Sequence, residues 1–294
     1  MLTILLARGS LGGSSGSARQ GKKRGSAHGN DGPELGEENL EDKPAPATGT
    51  KLGFDHVYVI NLDRREDRRN TMGQMMKYLN VQYELFQATN ETEVERAASP
   101  KSGDGEDAPA ADIKYHTRPA ERACMHSHMS VLKDIVIHGY QRTLILEDDV
   151  DMEADIKDRL GDLLPHVPST WDLLYLGHCS KETFQRTEFH KNLYLARRPS
   201  CTHAYAISLE GAKLALTLLN DQWPNPKSPY DLFLINEIKE NLLEAYSVEP
   251  PYIVQVRQDM PPGDVAPDTS IANQWLDRSA LFELGIRPHM YELE

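Results

Sequence analysis

From Phe54 onward, apolar residues fall into short continuous runs separated by longer stretches with helical spacing. Val57-Tyr58-Val59-Ile60 is an almost unbroken apolar run, the pattern of a strand covered on both faces. Asn61-Leu62-Asp63-Arg64-Arg65-Glu66-Asp67-Arg68-Arg69 then opens a predicted helix whose inner stripe is Met72, Met75, Met76 and Leu79. Tyr83-Glu84-Leu85-Phe86 predicts a second strand. Residues 90–112 are rich in Ala, Pro, Gly and Asp, and read as either a surface insertion or a mobile loop over a site. A helix is expected from Glu121 to about His138, with Met125, Met129, Leu132 and Val136 on one face and Gly139 as its stop.

The second half repeats the alternation. Apolar runs at Thr143–Leu146, Asp172–Gly177, His203–Ile207 and Tyr252–Val256 predict strands. Ser208 is a suitable N-cap for a helix through Leu219. Pro224 to Pro229 predicts a turn, followed by a helix with Leu234, Ile235, Ile238 and Leu242 facing inward. Pro261-Pro262-Gly263-Asp264 breaks the pattern, and a short helix is expected around Trp275. Strands alternating with helices predict an α/β fold: a single domain over residues 53–294 with a mostly parallel central sheet flanked by helices.

Residues 1–52 do not share this pattern. They are Gly-, Ser-, Pro- and charge-rich, too poor in large apolar residues to offset ordering entropy, and read as a disordered leader or stem. The apolar opening Met1–Ala7 has no basic segment before it. It reads as a weak signal peptide or as the stump of an anchor missing from this version of the chain. No apolar run reaches the ~18–20 residues of a membrane helix, so membrane association is expected only through such an anchor.

Charge narrows the choice of partner. The formal net charge is −13, and because residues 1–50 are charge-balanced the excess lies in the body, which argues against wrapping a nucleic-acid backbone. Three cysteines, Cys124, Cys179 and Cys201, form neither a disulfide framework nor a CxxC metal pair. Cys179 and Cys201 could pair in an oxidising lumen.

The candidate chemistry sits at the end of one strand. Thr143-Leu144-Ile145-Leu146 runs straight into Glu147-Asp148-Asp149-Val150-Asp151. An apolar strand ending in acids would deliver them to the carboxyl edge of a sheet, where open α/β sheets place ligands. Such a cluster needs a cation or solvent, and hard oxygen donors suit Mn²⁺ or Mg²⁺ shared with a substrate phosphate. The competing reading is a solvated acidic loop. The basic residues at the first strand-to-helix junction could meet a diphosphate at the helix N-terminus, or simply form a solvated helix face.

Four segments in order carry a resemblance: Tyr58-Val59-Ile60-Asn61-Leu62-Asp63-Arg64-Arg65, Cys124-Met125-His126-Ser127-His128, Leu144–Val150 with its Glu-Asp-Asp, and Cys201-Thr202-His203-Ala204-Tyr205-Ala206. Together, over roughly Phe54 to Asp259, they resemble glycosyltransferase family 25, the lipooligosaccharide and procollagen galactosyltransferases. The resemblance implies a GT-A-like fold and a divalent metal. It also implies transfer of a hexose, typically galactose, from a UDP-sugar with inversion to a glycan or hydroxylated protein acceptor. Arg122-Ala123 stand where family members usually have small glycines. Asp149-Val150-Asp151 also spells a literal DxD, so the metal register stays open between Glu147/Asp149 and Asp149/Asp151.

The resemblance gives the expected roles. Glu147, Asp149 and Asp151 are candidate metal ligands. Asn61, Asp63, Arg64, Arg68, Ser127, His128, Asp148, His203 and Tyr205 are candidate nucleotide-sugar contacts. Asp231, beyond the proline-rich turn at the start of a helix, is the candidate general base, with Asp172 and Glu237 in reserve. Cys124 and His128 share a helix face and read as a core cysteine beside a hydrogen-bonded histidine rather than a soft-metal pair. A catalytically silent sugar-nucleotide or glycan-binding protein on the same fold is the alternative. A phosphohydrolase is disfavoured, because the chain has neither a DxDxT motif nor clustered histidine ligands. The resemblance places the protein in the secretory pathway, with a cytoplasmic site as the alternative.

Overall fold

The computed structural model describes residues 50–98, 116–179, 185–256 and 276–286. In the first half lie β1 (His56–Asn61), α1 (Glu66–Tyr78), β2 (Glu84–Gln87), α2 (Glu91–Ala98), α3 (Pro119–His138), β3 (Arg142–Glu147) and β4 (Val150–Met152). Next come α4 (Ile156–Leu163), β5 (Leu173–Gly177), β6 (Gln185–Arg186), β7 (Leu193–Leu195), β8 (Ala204–Ser208) and α5 (Leu209–Asn220). The described chain closes with α6 (Tyr230–Lys239), β9 (Ala245–Val248), β10 (Ile253–Gln255) and α7 (Ala280–Glu283).

Eight strands form one sheet in the order β2-β1-β3-β8-β5-β9-β7-β6. β1, β2 and β3 are mutually parallel, as are β5 and β9, while β8 and β7 run against their neighbours. The sheet is therefore mostly parallel, as expected, with one reversed strand, β8, at its centre. Along β1 and β3 the side chains alternate between two cores. Val57, Val59, Leu144 and Leu146 join Met72, Met75 and Met76 of α1 on one face. Tyr58, Ile60 and Ile145 join Met125, Met129 and Leu132 of α3 on the other. Burying each of Leu144, Ile145 and Leu146 completely contributes about 1.5–3 kcal/mol, which holds the acidic strand end at a fixed edge.

Local signals set the helix ends. α3 starts at Pro119, two residues before the expected Glu121, because Glu121 closes a capping box with the Arg118 backbone N–H. It stops at Gly139, whose φ of 71° is left-handed. Ser208 caps α5 by accepting from the Gly211 N–H at 3.0 Å. α2 occupies part of the segment expected to be an insertion or loop. The Asn90 side chain caps it, and Val94 is buried where α2 packs on α3.

Other expectations need correction. α6 ends at Lys239, so Leu242 lies beyond it and is exposed rather than inward. The strand expected over Tyr252–Val256 is present as β10, and it pairs antiparallel with β4 in a two-stranded ribbon apart from the main sheet. The expected short helix at Trp275, the leader up to residue 49 and residues 99–112 of the expected insertion lie outside the described residues. Among the described residues, no helix is long and apolar enough to cross a membrane.

Candidate active site

β1 and β3 run parallel with Ile60 beside Glu147, so their carboxyl ends reach the same sheet edge. The reversed strand β8 brings its amino end there too, and the Glu147 N–H donates to the His203 carbonyl at 2.9 Å. At this edge opens a cleft of about 530 Å³ lined by Glu147, Asp148 and Asp149, by Arg64 and Arg68 at the start of α1, and by Ser127 and His128 of α3. Asp231, from the first turn of α6, lines the same cleft. The cleft thus gathers acids, bases and a helix N-terminus from four separate elements.

The three acids differ in surroundings. Asp148 Oδ1 accepts from Arg68 Nη1 at 2.8 Å and its Oδ2 from Asn61 Nδ2 at 2.6 Å. Asp149 meets the same Arg68 Nη1 at 3.1 Å and accepts from Gln255 Nε2 at 3.1 and 3.2 Å. Burial pushes the Asp149 carboxyl up to about 7, the neighbouring Glu147 charge adds to this, and Arg68 opposes it. Asp148 is likewise raised, by burial first. Glu147 goes the other way. Burial would raise it, but the contact with His128, the nearby His203 ring and the Thr202 hydroxyl at 3.1 Å outweigh that and hold it below the usual range.

The Arg68 guanidinium thus already stands between two of the carboxylates, with its Nε buried and without a hydrogen-bond partner among the described residues. A hard divalent ion fits this donor set. Glu147, Asp148 and Asp149 are all oxygen donors on one cleft, and Asp149 carries a charge that burial disfavours and a cation would stabilise.

The structure separates the other expected residues. Asp151 does not line the cleft. It is fully buried, accepts from Ser279 Oγ at 2.5 Å, the Met152 N–H at 2.8 Å and the Leu281 N–H at 3.2 Å, and so anchors the segment carrying α7. The bend at Asp148-Asp149 between β3 and β4 turns Asp151 away, which favours Glu147/Asp149 over the DxD register. Asn61 stands behind Asp148 as its hydrogen-bond partner. Asp63 is exposed and accepts from Gln87. His203 and Tyr205, expected at the sugar pocket, are buried beneath the site. His203 Nε2 lies 3.4 Å from the Ile253 carbonyl, and Tyr205 Oη lies 3.1 Å from both His128 Nδ1 and Tyr230 Oη. Of the reserves, Asp172 is buried and accepts from the Glu244 N–H, and Glu237 lies away from the cleft.

Further residues complete the walls, among them the cysteine pair that the sequence allowed. Cys179 and Cys201 form a disulfide with Cα atoms 5.5 Å apart, and both line the cleft. Cys201 adopts a φ of 67°, and its N–H donates to Asp231 Oδ2 at 3.3 Å, while the Leu232 N–H donates to Oδ1 at 2.8 Å. Thr202 and Gln255 hold Glu147 and Asp149 respectively. Thr202 lay within a recognisable segment, whereas nothing local marks Gln255. Gly177 is required where β5 passes this wall, since a Cβ there would collide with the Ile253 carbonyl and the His203 ring.

Residues 54–197 match the model of glycosyltransferase family 25, described as an LPS biosynthesis protein. Procollagen galactosyltransferase 2 of Mus musculus is 30% identical over 251 residues, covering 78% of this chain and 39% of that protein. Procollagen galactosyltransferase 1 of Danio rerio is 31% identical over 264 residues, covering 80% and 42%. The human inactive glycosyltransferase 25 family member 3 is 32% identical over 193 residues, covering 63% and 32%. The chain therefore spans between about a third and two fifths of the length of these relatives. A solved glycosyltransferase involved in glycosylating the major capsid of PBCV-1 covers 70% of this chain and is covered to 93%, at 9% identity and a TM-score of 0.38.

Proposed function

Because the chain carries a domain of glycosyltransferase family 25, we propose that it is a divalent-metal-dependent, inverting hexosyltransferase of GT-A type. Its donor is a UDP-sugar, UDP-galactose in first place, and its acceptor a glycan or a hydroxylated protein. The observation that carries this reading is the convergence of Glu147, Asp148, Asp149 and Asp231 on one cleft beside the N-terminus of α1.

Glu147 and Asp149, with Asp148 beside them, would hold the ion, which when bound neutralises the diphosphate and makes it a better leaving group. Arg64 and Arg68 stand at the helix N-terminus where diphosphate oxygens are favourably met. Ser127 and His128 line the donor side. Asp231 takes the proton from the attacking acceptor hydroxyl as the new glycosidic bond forms and the bond to the diphosphate breaks. The N–H groups of Leu232 and Cys201 fix its carboxylate for that step. The Cys179–Cys201 disulfide supports a site of action in the lumen of the secretory pathway.

The second reading, a silent binding protein, is favoured by one feature: Arg68 already neutralises two of the acids. Transfer from UDP-galactose to collagen-type or glycan acceptors, measured with Mn²⁺ and with EDTA, separates the two. Turnover in Mn²⁺ that is lost in EDTA and falls by about 10²–10⁴ in Asp231→Asn is expected. UDP binding without turnover for any acceptor would support the silent protein, and full turnover by Asp231→Asn would remove the base from its role.

A further inference from the structure

The cleft contains a second set of donor atoms, which joins an otherwise unused thiol to two residues of the transfer site. Cys124, His128 and Glu147 each place one ligand atom within 4.8 Å of the others. The first two stand four residues apart on α3, and the third ends β3, so all three are held by packed elements rather than loops. Cys124 is the thiol left unbridged, since Cys179 and Cys201 are joined to each other. That pairing also disposes of the neighbouring trio of Cys179, Cys201 and His203, whose sulfurs are spent.

The histidine is already oriented as a ligand. Its Nδ1 lies 3.1 Å from Tyr205 Oη, which lies 3.1 Å from Tyr230 Oη, and its ring stacks on Tyr230 with centroids 4.5 Å apart. A partner on one ring nitrogen fixes the direction of the other, the arrangement by which metal-bound histidines are held. Nε2 consequently faces Glu147 Oε1 at 3.6 Å. Two ligands of one tetrahedral zinc ion, each bonded at ~2.0–2.1 Å, stand roughly 3.4 Å apart. Cys124 and Glu147 both line the cleft, so a fourth position would open into it.

We propose that Cys124 Sγ, His128 Nε2 and a Glu147 oxygen form a binding site for a borderline-soft divalent cation, zinc above all, open to the cleft at its fourth position. Binding replaces the thiol proton, which passes to solvent, with a sulfur–metal bond. On the reading that Glu147 also serves the hard-metal site, zinc withdraws that carboxylate and opposes Mn²⁺. The two sites differ in donor type, so each selects a different ion while sharing one residue.

Cobalt(II), a spectroscopic stand-in for zinc, tests the site directly in the oxidised, full-length protein. One equivalent of Co²⁺ should give a near-ultraviolet thiolate-to-cobalt band, bleached by one equivalent of Zn²⁺. The band should be absent in Cys124→Ser and weakened in His128→Gln, with Zn²⁺ affinity at least about a hundredfold lower in Cys124→Ser. Melting in EDTA checks that each variant is folded, and a thiol titration of the unfolded wild type confirms that Cys124 is reduced. Absence of the band in wild type, or an equal band in Cys124→Ser, overturns the site. Mn²⁺ paramagnetic resonance tests the competition: Zn²⁺ should displace Mn²⁺ from wild type at least about tenfold more effectively than from Cys124→Ser. Equal displacement from both would overturn the competition. If the cobalt band forms but Mn²⁺ fails to bind even with UDP, the zinc site stands and the hard-metal reading falls.

Discussion

Arg68→Gln removes the guanidinium that lies 2.8 Å from Asp148 and 3.1 Å from Asp149, with only 7% of its side chain exposed. Breaking a buried pair by removing one partner costs about 3–5 kcal/mol, because the other charge is left uncompensated. Here part of that cost is relieved at neutral pH, since the Asp149 carboxyl already sits at about 7 and takes a proton readily. The expected loss is therefore near the lower end, about 3 kcal/mol. For a domain of this size that lowers the melting temperature in EDTA by roughly 6–12 °C. Mn²⁺ should restore a large share of the loss in the variant and raise the wild type much less, because in the wild type the ion must contend with Arg68 for the same oxygens. The assay is thermal unfolding of both proteins in EDTA and across a Mn²⁺ series. A variant melting within about 2 °C of wild type in EDTA, or equal Mn²⁺ stabilisation of the two, would refute the reasoning.

Asp151→Asn should cost about 1–3 kcal/mol in urea unfolding by weakening the anchor of the α7 segment, and leave Mn²⁺ affinity unchanged. A tenfold loss of Mn²⁺ affinity in that variant would instead restore the DxD register. The raised Asp149 carboxyl also sets a pH dependence. Folding favours its protonated form, so its contribution to cation-free stability is lost as pH rises from its unfolded range near 4 to about 7. Mn²⁺ affinity measured by calorimetry should correspondingly climb with pH and level off above about 7; affinity independent of pH between 5.5 and 7 would contradict the burial of Asp149.

The elements that anchor the site were legible because each buries apolar side chains with a clear period. β1, β3, α1 and α3 follow Val57–Ile60, Leu144–Leu146, the Met72/Met75/Met76 stripe and Met125–Leu132. What failed were inferences that depend on where the chain bends. Asp149 and Asp151 would share a face if the strand ran straight, but the bend at Asp148-Asp149 puts Asp151 inside β4, facing α7. β9 carries little sequence signal, because Ala245-Tyr246-Ser247-Val248 is short, follows α6 closely and carries a buried serine. For Tyr205, a position on a late strand leaves open a pocket-lining residue or ordinary core. β8 proved to be a central strand covered on both faces, which sends Tyr205 into the core under His128. Gln255 reaches Asp149 from 106 residues away, a contact no local pattern encodes.

The claim on which the account turns is that the acids at the end of β3 hold a cation that in turn holds a nucleotide diphosphate. Calorimetry of UDP binding to wild type and Asp149→Asn, each with Mn²⁺ and with EDTA, tests it most directly. Wild type should bind UDP in Mn²⁺ alone, with EDTA or the substitution abolishing binding; equal UDP binding in all four conditions would contradict a cation bridge between these acids and the diphosphate.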